Sequence, residues 1–402
     1  MPIYNYIVKD IAGKTINGTV EAPNPTLAGD ILRERKYVVI SLAEKKAAGL
    51  LTGILERFRG VKIGEKTIFA RQLSTMISAG LPLTNALEIL RVQTQSERMR
   101  EVLNGMISDV QGGSSLAKSM VKYPDVFGKV TVSLVEAGEA SGKLDTLLSQ
   151  LADNMEKERD FQSKTRGALI YPAVISVAMV GVFIIMMIFV VPRLTALYSD
   201  IGAELPLPTR ILIGISNLLV HGWWALLVLG GLVGFGFIRY LQTEKGKYQL
   251  ANFTFKFPIF GKLSKESELA RFARTLGLLA GAGIPITQAL EIVAAAMSNI
   301  LYRDAILAAE KEVEKGVPLS VPIRNNPNFD PLIAQMIAVG EETGKLDEVL
   351  DKVAGFFEGQ AEQSVKNLST ALEPIILVVL GVMVGGLVLS IITPIYNLTT
   401  QF

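Results

Sequence analysis

The chain has 402 residues, 50% of them hydrophobic and 19% charged, with a formal net charge of +2 at pH 7. It is more apolar than an ordinary soluble protein, which predicts water-facing domains joined to membrane spans, and the lack of any lysine-arginine block argues against nucleic acid as a partner. The absence of cysteine and the single histidine, His221, exclude zinc sites, thiol nucleophiles and disulfide frameworks.

The opening stretch "MPIYNYIVKDIAGK" has no apolar core behind a basic start and is not read as a cleaved signal peptide. "YNYIVKD", a turn around "AGK", "TINGTVEA", a short helix near Thr26 to Arg35 and "YVVISLAE" predict a small N-terminal ββαβ module over residues 1–45, with a linker over 46–65. "AGKT" at 12–15 resembles the tail of a phosphate-binding loop, but the first glycine of such a loop would fall at Val8. A hairpin turn is the expected reading, and the chain must then take its energy from outside.

Next comes a segment that recurs. "FARQLSTMISAGLPLTNALEIL" (69–90) aligns with "FARTLGLLAGAGIPITQALEIV" (272–293) at an offset of 203, with 12 of 22 positions identical. The offset becomes 202 after one residue is lost near "YPDVF" and "NPNF", and there "AGEASGKLDTLL" (137–148) meets "VGEETGKLDEVL" (339–350). A period this long indicates a duplicated domain rather than a solenoid. Leu144, Leu147, Leu148 and Leu151, matched by Leu346, Val349, Leu350 and Val353, form an apolar helical stripe, and Leu83, Leu87 and Leu90 with Ile286, Leu290 and Val293 form a second. Gly80 and Gly283 stand where a helix should stop, Pro82 and Pro285 where the next should begin. Each copy, 66–167 and 265–373, is expected to be an antiparallel bundle of about five or six helices.

Three uncharged stretches satisfy the roughly 20 apolar residues a membrane helix needs. They place spans at 168–191, 222–239 and 374–396, with Pro172 and Pro374 at the mouths of the first and third. Residues 192–221 are read as an external loop and interfacial helix, with Trp223, Trp224 and His221 at headgroup level, 240–264 as a cytoplasmic linker and 397–402 as a short external tail. Lys157, Arg159, Lys164, Arg166, Arg239, Lys245, Lys247 and Lys366 flank the spans on one side and only Arg193 and Arg210 on the other. The positive-inside bias therefore puts the N-terminus and both bundles in the cytoplasm and the C-terminus outside. The fold class expected is an all-α polytopic membrane protein with two homologous bundles, three spans and the small N-terminal module.

Within the shared phrase, Gly138, Gly142, Gly340 and Gly344 are read as structural, and Asp145 and Asp347 as first-turn acids favoured by the helix dipole. Glu139 and Glu341 fall beside a helix end, where an acid is mildly unfavourable, so they have either an intramolecular use or a docking or cation-binding one. With Glu136 and Glu342 they form a candidate partner-binding set; Glu88 and Glu291 join it, although capping of a nearby helix start is the simpler account. Gly230 and Gly234, and Gly381 and Gly385, form G-x-x-x-G steps that suit close helix packing, within the chain or between copies.

The paired "GLPL…AL" and "GE-x-S-G-x-L" motifs, the "YP" and "EP" pairs, the "LPLPTR" loop and "FPIFGKL" before the second copy resemble the inner-membrane platform proteins of type II secretion and type IV pilus machinery, the GspF/PilC family. The resemblance covers nearly the whole chain. It implies a non-enzymatic scaffold without cofactor, metal or catalytic residue. It also implies contacts with a cytoplasmic hexameric assembly ATPase, with pilin or pseudopilin subunits, with other inner-membrane assembly proteins and with lipid; the membrane glycine steps and the duplicated domain add the expectation of self-association. The competing classes are a membrane-anchored adaptor unrelated to pili and a transporter, the latter disfavoured because no span carries an acid or base.

Overall fold

A computed structural model describes residues 3–9, 15–34, 37–44, 61–192, 207–256 and 258–399. The expected "AGK" turn, most of the 46–65 linker, Arg193 with most of the external loop, and the last three residues of the tail lie outside the described residues. The chain divides into two units, Met1–Gly60 and Val61–Phe402.

In the first unit, strands β1 (Ile3–Lys9) and β2 (Thr15–Glu21), helix α1 (Pro25–Glu34) and strand β3 (Val38–Glu44) follow in order. The sheet order is β2-β1-β3, antiparallel throughout, with a register shift between Ile7 and Val8. Tyr4 and Val8 are buried four residues apart on β1, as the period of two requires, and Tyr4 packs with Ala22 and Ala28. The Asn24 side chain accepts a hydrogen bond from the Leu27 N–H at 2.8 Å and so caps α1.

The second unit contains the same six-helix sequence twice. The first copy comprises α2 (Ile63–Ser78), α3 (Leu83–Gln93), α4 (Glu97–Gln111), α5 (Leu116–Val121), α6 (Lys129–Ser141) and α7 (Leu144–Ile185). After a π-helical turn at Met186–Val190 come α8 (Leu207–His221), α9 (Trp223–Gln242) and α10 (Glu244–Lys256). The second copy comprises α11 (Pro258–Gly281), α12 (Ile286–Ala296), α13 (Ile300–Val313), α14 (Ser320–Asn325), α15 (Pro331–Thr343) and α16 (Leu346–Thr399). In each copy the first helix packs along the last, α2 on α7 and α11 on α16; the copies meet through α7 on α16 and α6 on α12.

One hydrophobic cluster runs through both copies and repeats its residues: Phe69, Leu73, Leu87 and Leu148 in the first, Phe272, Leu276, Leu290 and Leu350 in the second. Each such side chain removed from water stabilises by about 1.5–3 kcal/mol. The Phe69 and Phe127 rings lie 5.6 Å apart, and their counterparts Phe272 and Phe329 lie 5.1 Å apart.

Among the described residues three helices are long and apolar enough to cross a membrane, with mean hydropathies of 2.9 within Leu144–Val190, 1.7 within Trp223–Gln242 and 2.1 within Leu346–Gly386. The chain does not break between bundle and span: α7 and α16 each run continuously from a bundle into an apolar segment, with Pro172 inside α7 and Pro374 inside α16. At 167–168 and 373–374 the hydropathy changes while the helix continues, although Pro172 and Pro374, lacking an N–H, each leave one i→i−4 bond unmade. The segment before the second span holds α8, which packs on the π-helical turn. Ser216 on α8 donates to the Met187 carbonyl in the π-helical turn at 2.5 Å, and Ile213 and Leu219 cover Met187 and Val191. A π turn leaves a carbonyl without its usual i+4 partner, and the serine supplies one.

Candidate functional site

The twice-occurring phrase builds one elbow in both copies. α6 ends at Gly142 and α15 at Gly344, with φ of +68° and +69°, a left-handed conformation that glycine adopts without strain. Lys143 N–H donates back to the Gly138 carbonyl at 3.0 Å, and Lys345 N–H to Gly340 at 3.1 Å. A Cβ on Gly138 would lie 3.1 Å from the Leu144 Cα, and one on Gly340 2.9 Å from the Leu346 Cα. These glycines thus let the chain double back onto its own helix. Ser141 and Thr343 donate to the Ala137 and Val339 carbonyls, both at 2.7 Å.

The glutamates of the phrase point at another element. Glu139 accepts from the Leu116 N–H at 2.6 Å and the Ala117 N–H at 3.1 Å; Glu341 accepts from the Leu319 N–H at 2.6 Å and the Ser320 N–H at 3.2 Å. Each carboxylate closes two backbone donors at the N-terminus of α5 or α14, where the helix dipole also favours a negative charge. Of the two uses open to Glu139 and Glu341, this geometry supplies the intramolecular one.

The remaining sequence candidates separate. Asp145 and Asp347 are exposed in the first turns of α7 and α16, while Glu136 and Glu342 are exposed on α6 and α15. Glu136 makes no hydrogen bond or ion pair among the described residues. The capping account of Glu88 and Glu291 is corrected: α3 and α12 begin at Leu83 and Ile286, so both glutamates sit mid-helix, exposed, with Glu88 accepting from Gln111 at 3.4 Å. Gly80 and Gly283, with φ of +82° and +75°, end α2 and α11, and Pro82 and Pro285 precede α3 and α12. A Cβ added at Gly230, Gly234, Gly381 or Gly385 would meet nothing within 4 Å among the described residues.

A pair of clamps escapes the motif reading. Arg71 on α2 holds Glu156 on α7 bidentately, both bonds at 2.7 Å, and also pairs with Asp153. Arg274 on α11 holds Glu358 on α16 the same way, at 2.6 and 2.7 Å, and reaches Asp351 at 2.8 Å. Hydrogen bonding to Arg71 holds the Glu156 carboxyl below its ordinary pKa. Burial opposes the charge of Arg274, yet the hydrogen bonds and charges of Glu358 and Asp351 outweigh it and raise its pKa. The signal was in the duplication: Arg71 matches Arg274 at the offset of 203, and Glu156 matches Glu358 at 202.

Between the copies lies a charged seam. Lys157 pairs with Asp351 at 3.1 Å, Lys164 with Glu362 at 2.8 Å and Glu158 with Arg271 at 3.7 Å. Burial disfavours the Asp351 carboxylate, but Lys157 and Arg274 more than compensate and lower its pKa. A cleft opens here, lined by Gln150, Asp153, Asn154, Lys157, Asp347 and Asp351 among others, and the Gln150 Oε1 and Asn154 Oδ1 atoms are buried without a partner among the described residues. Among the described residues no cluster of three or more acids or histidines could hold a metal ion. The arrangement offers a charged helical surface.

Residues 69–192 and 272–394 each match the family described as type II secretion system (T2SS), protein F, and residues 1–43 match its N-terminal domain. A type IV pilus assembly protein PilC of Thermus thermophilus is 37% identical over 99% of this chain and 98% of its own length. Another PilC, of Pseudomonas aeruginosa, is 37% identical over 90% of this chain and 97% of its own length. A type II secretion system protein F of the same organism is 31% identical over 99% of each. The duplicated bundle, the three apolar helices and these matches together establish that the chain belongs to the type II secretion system protein F family, whose members include the PilC proteins of type IV pili.

Proposed function

We propose that the protein is an inner-membrane platform of a pilus or secretion machine, a non-catalytic scaffold that couples a cytoplasmic hexameric ATPase to the movement and polymerisation of pilin or pseudopilin subunits. One observation carries the reading. Each of two related bundles is built onto a helix, α7 or α16, that continues into an apolar segment able to span a membrane, and these two helices pack on each other. Each helix is continuous, so a force on a bundle is passed along it toward the lipid, with Pro172 and Pro374 the points at which it would bend. Under the positive-inside bias of Lys157, Arg159, Lys164, Arg166 and Lys366 the bundles face the cytoplasm, where a motor can reach them. Other inner-membrane assembly proteins and a second copy of the chain complete the set of partners.

Crosslinking in native membranes, followed by mass spectrometry, tests this. The expected result is links from 66–166 or 265–370 to a hexameric ATPase and links from the spans to pilin-like helices. Absence of both, with other partners linked instead, would overturn the platform in favour of an adaptor.

A further inference from the structure

The two copies pack head to tail. The first presents α6 and α7 to α11, α12 and α16 of the second. A two-fold arrangement would add the reciprocal contacts, α15 on α3 and α16 on α2, and among the described residues neither pair forms a comparable contact. The bonds Lys157–Asp351, Lys164–Glu362 and Ser369–Ala168 ascend together along α7 and α16, so the two helices run parallel and carry their apolar segments in the same direction. The rotation relating the copies therefore runs along these helices, and applying it again sets a further copy beside the second in the plane of the membrane.

This packing leaves one face of each copy unmatched. Where α6 and α7 reach α11 and α12, Leu279, Ile284 and Ile292 of the second copy are buried, Ile292 to 6% exposure; α10 lies elsewhere, against α11 and α13. At the offset of 203 these positions are Met76, Leu81 and Ile89 of the first copy. There Met76 and Leu81 are only half-buried, Ile89 is 39% exposed, and Val92, one turn on, is exposed too. The covering face is open in the second copy in the same way. Ser133 and Ala137 on α6 are half-buried, but their equivalents at the offset of 202, Gln335 and Val339 on α15, are exposed, Val339 by 45%. One of the three seam pairs also carries over: Lys164 and Glu362 correspond to Lys366 and Asp160, both exposed and neither in an ion pair among the described residues. The other two pairs have no charged equivalents, so the same contact between chains is weaker than the one within a chain.

We propose that chains associate head to tail in the membrane, the α15–α16 face of one second repeat seating on the α2–α3 face of another chain's first repeat, with Lys366 of the one against Asp160 of the other. A second copy is the occupant because the contact within the chain is a working example of the same two faces joined, and the duplication gives every chain one of each to spare. Burial of Ile89 and Val339 supplies the attraction, and the charge pair fixes the register. The contact is heterologous, so it repeats until the rotation closes a ring. The inference stands on the packing of the two copies and does not depend on the identity of the motor or of the subunits it moves.

A photo-crosslinking amino acid at Ile89, in the full chain in native membranes with a differently tagged copy in the same cells, tests the interface. The expected adduct joins the two copies, position 89 of one to residues 332–343 on α15 of the other. Asp160→Lys should lower the yield of that adduct about threefold, and adding Lys366→Asp to the same chain should restore it. Circular dichroism of both variants should match the parent, separating lost association from lost folding. Adducts confined to a single chain, to lipid or to another protein would overturn the proposal. So would adducts between two α3 helices, which mark a two-fold contact, no adduct at all, or a yield indifferent to the charge reversal.

Discussion

A glutamate in the last turn of a helix is poorly placed for its own helix, and its use becomes clear only when the neighbouring one is considered. Glu139 and Glu341 each accept two backbone N–H groups from a short helix 21 to 23 residues earlier in the chain, with the shorter bonds at 2.6 Å. A six-residue helix such as α5 has little propensity to form alone, so this external cap and the Ser115 hydroxyl, which accepts from Lys118 N–H at 3.2 Å, decide its stability. Glu139→Ala should lower the stability of the purified full-length protein by about 1–2 kcal/mol, read as a fall in thermal midpoint, because two donors lose a charged acceptor. Glu139→Gln should recover part of the loss, since the amide oxygen keeps one bond. Glu136→Ala, three residues away and exposed, should change stability by less than about 0.5 kcal/mol; an equal loss from both variants would sink the capping account.

At the scale of elements, the arginine clamps join the first and last helices of each copy, and the two copies differ in how much water reaches them. The Arg274 side chain is 10% exposed and Glu358 22%, against 35% for Arg71 and 44% for Glu156. Arg274→Met leaves a half-buried carboxylate without its partner and should cost about 2–3 kcal/mol, whereas Arg71→Met, at a solvated pair, should cost under about 1 kcal/mol. Asp351 and Glu156 titrate below their ordinary values of 3.8 and 4.5, so their pairs contribute in full above about pH 4.5 and lose that contribution as acid protonates the carboxyls. Chemical denaturation of the parent should therefore show stability falling on acidification through this range, and Arg274→Met should show a shallower fall. Equal slopes would mean that Arg274 does not hold Asp351 ionised. The duplicated bundle and its helix stripes were legible in the sequence because periodicity and Gly-Pro punctuation act locally. The clamps left only their repetition at the two offsets, since Arg71 and Glu156 meet across 85 positions and nothing local to either residue announces the other. Glu88 and Glu291 misled for the opposite reason. The phrases "TNAL" and "TQAL" look like a helix start, but Pro82 and Pro285 had already set the start at the next residue.

For the whole molecule, what matters is whether the two bundles move as one body or shift along the α7–α16 contact when a motor acts on them. Hydropathy located the apolar segments, but it could not reveal that each bundle's last helix passes unbroken into one, because helix continuity leaves no mark in hydropathy. Where the two long helices approach the membrane-spanning segments, the Ser369 hydroxyl donates to the Ala168 carbonyl at 2.9 Å. The charged seam beside it, Lys157 with Asp351 and Lys164 with Glu362, consists of exposed pairs that are individually weak and easily exchanged. The hydroxyl and the solvated charges can exchange readily, unlike the apolar core that runs through both copies. With no native cysteine to interfere, Ala168→Cys and Ser369→Cys can be combined in one chain and oxidised, with the bridge checked by its shift in gel mobility. If the platform works by a shift between its two long helices, the oxidised protein should keep its fold and its membrane insertion while surface filaments or secreted protein fall sharply, and a reductant should restore them. Full output from a completely bridged protein would mean that the repeats act as a single rigid block, and the moving joint would then have to lie at the motor or at the subunit being drawn from the lipid.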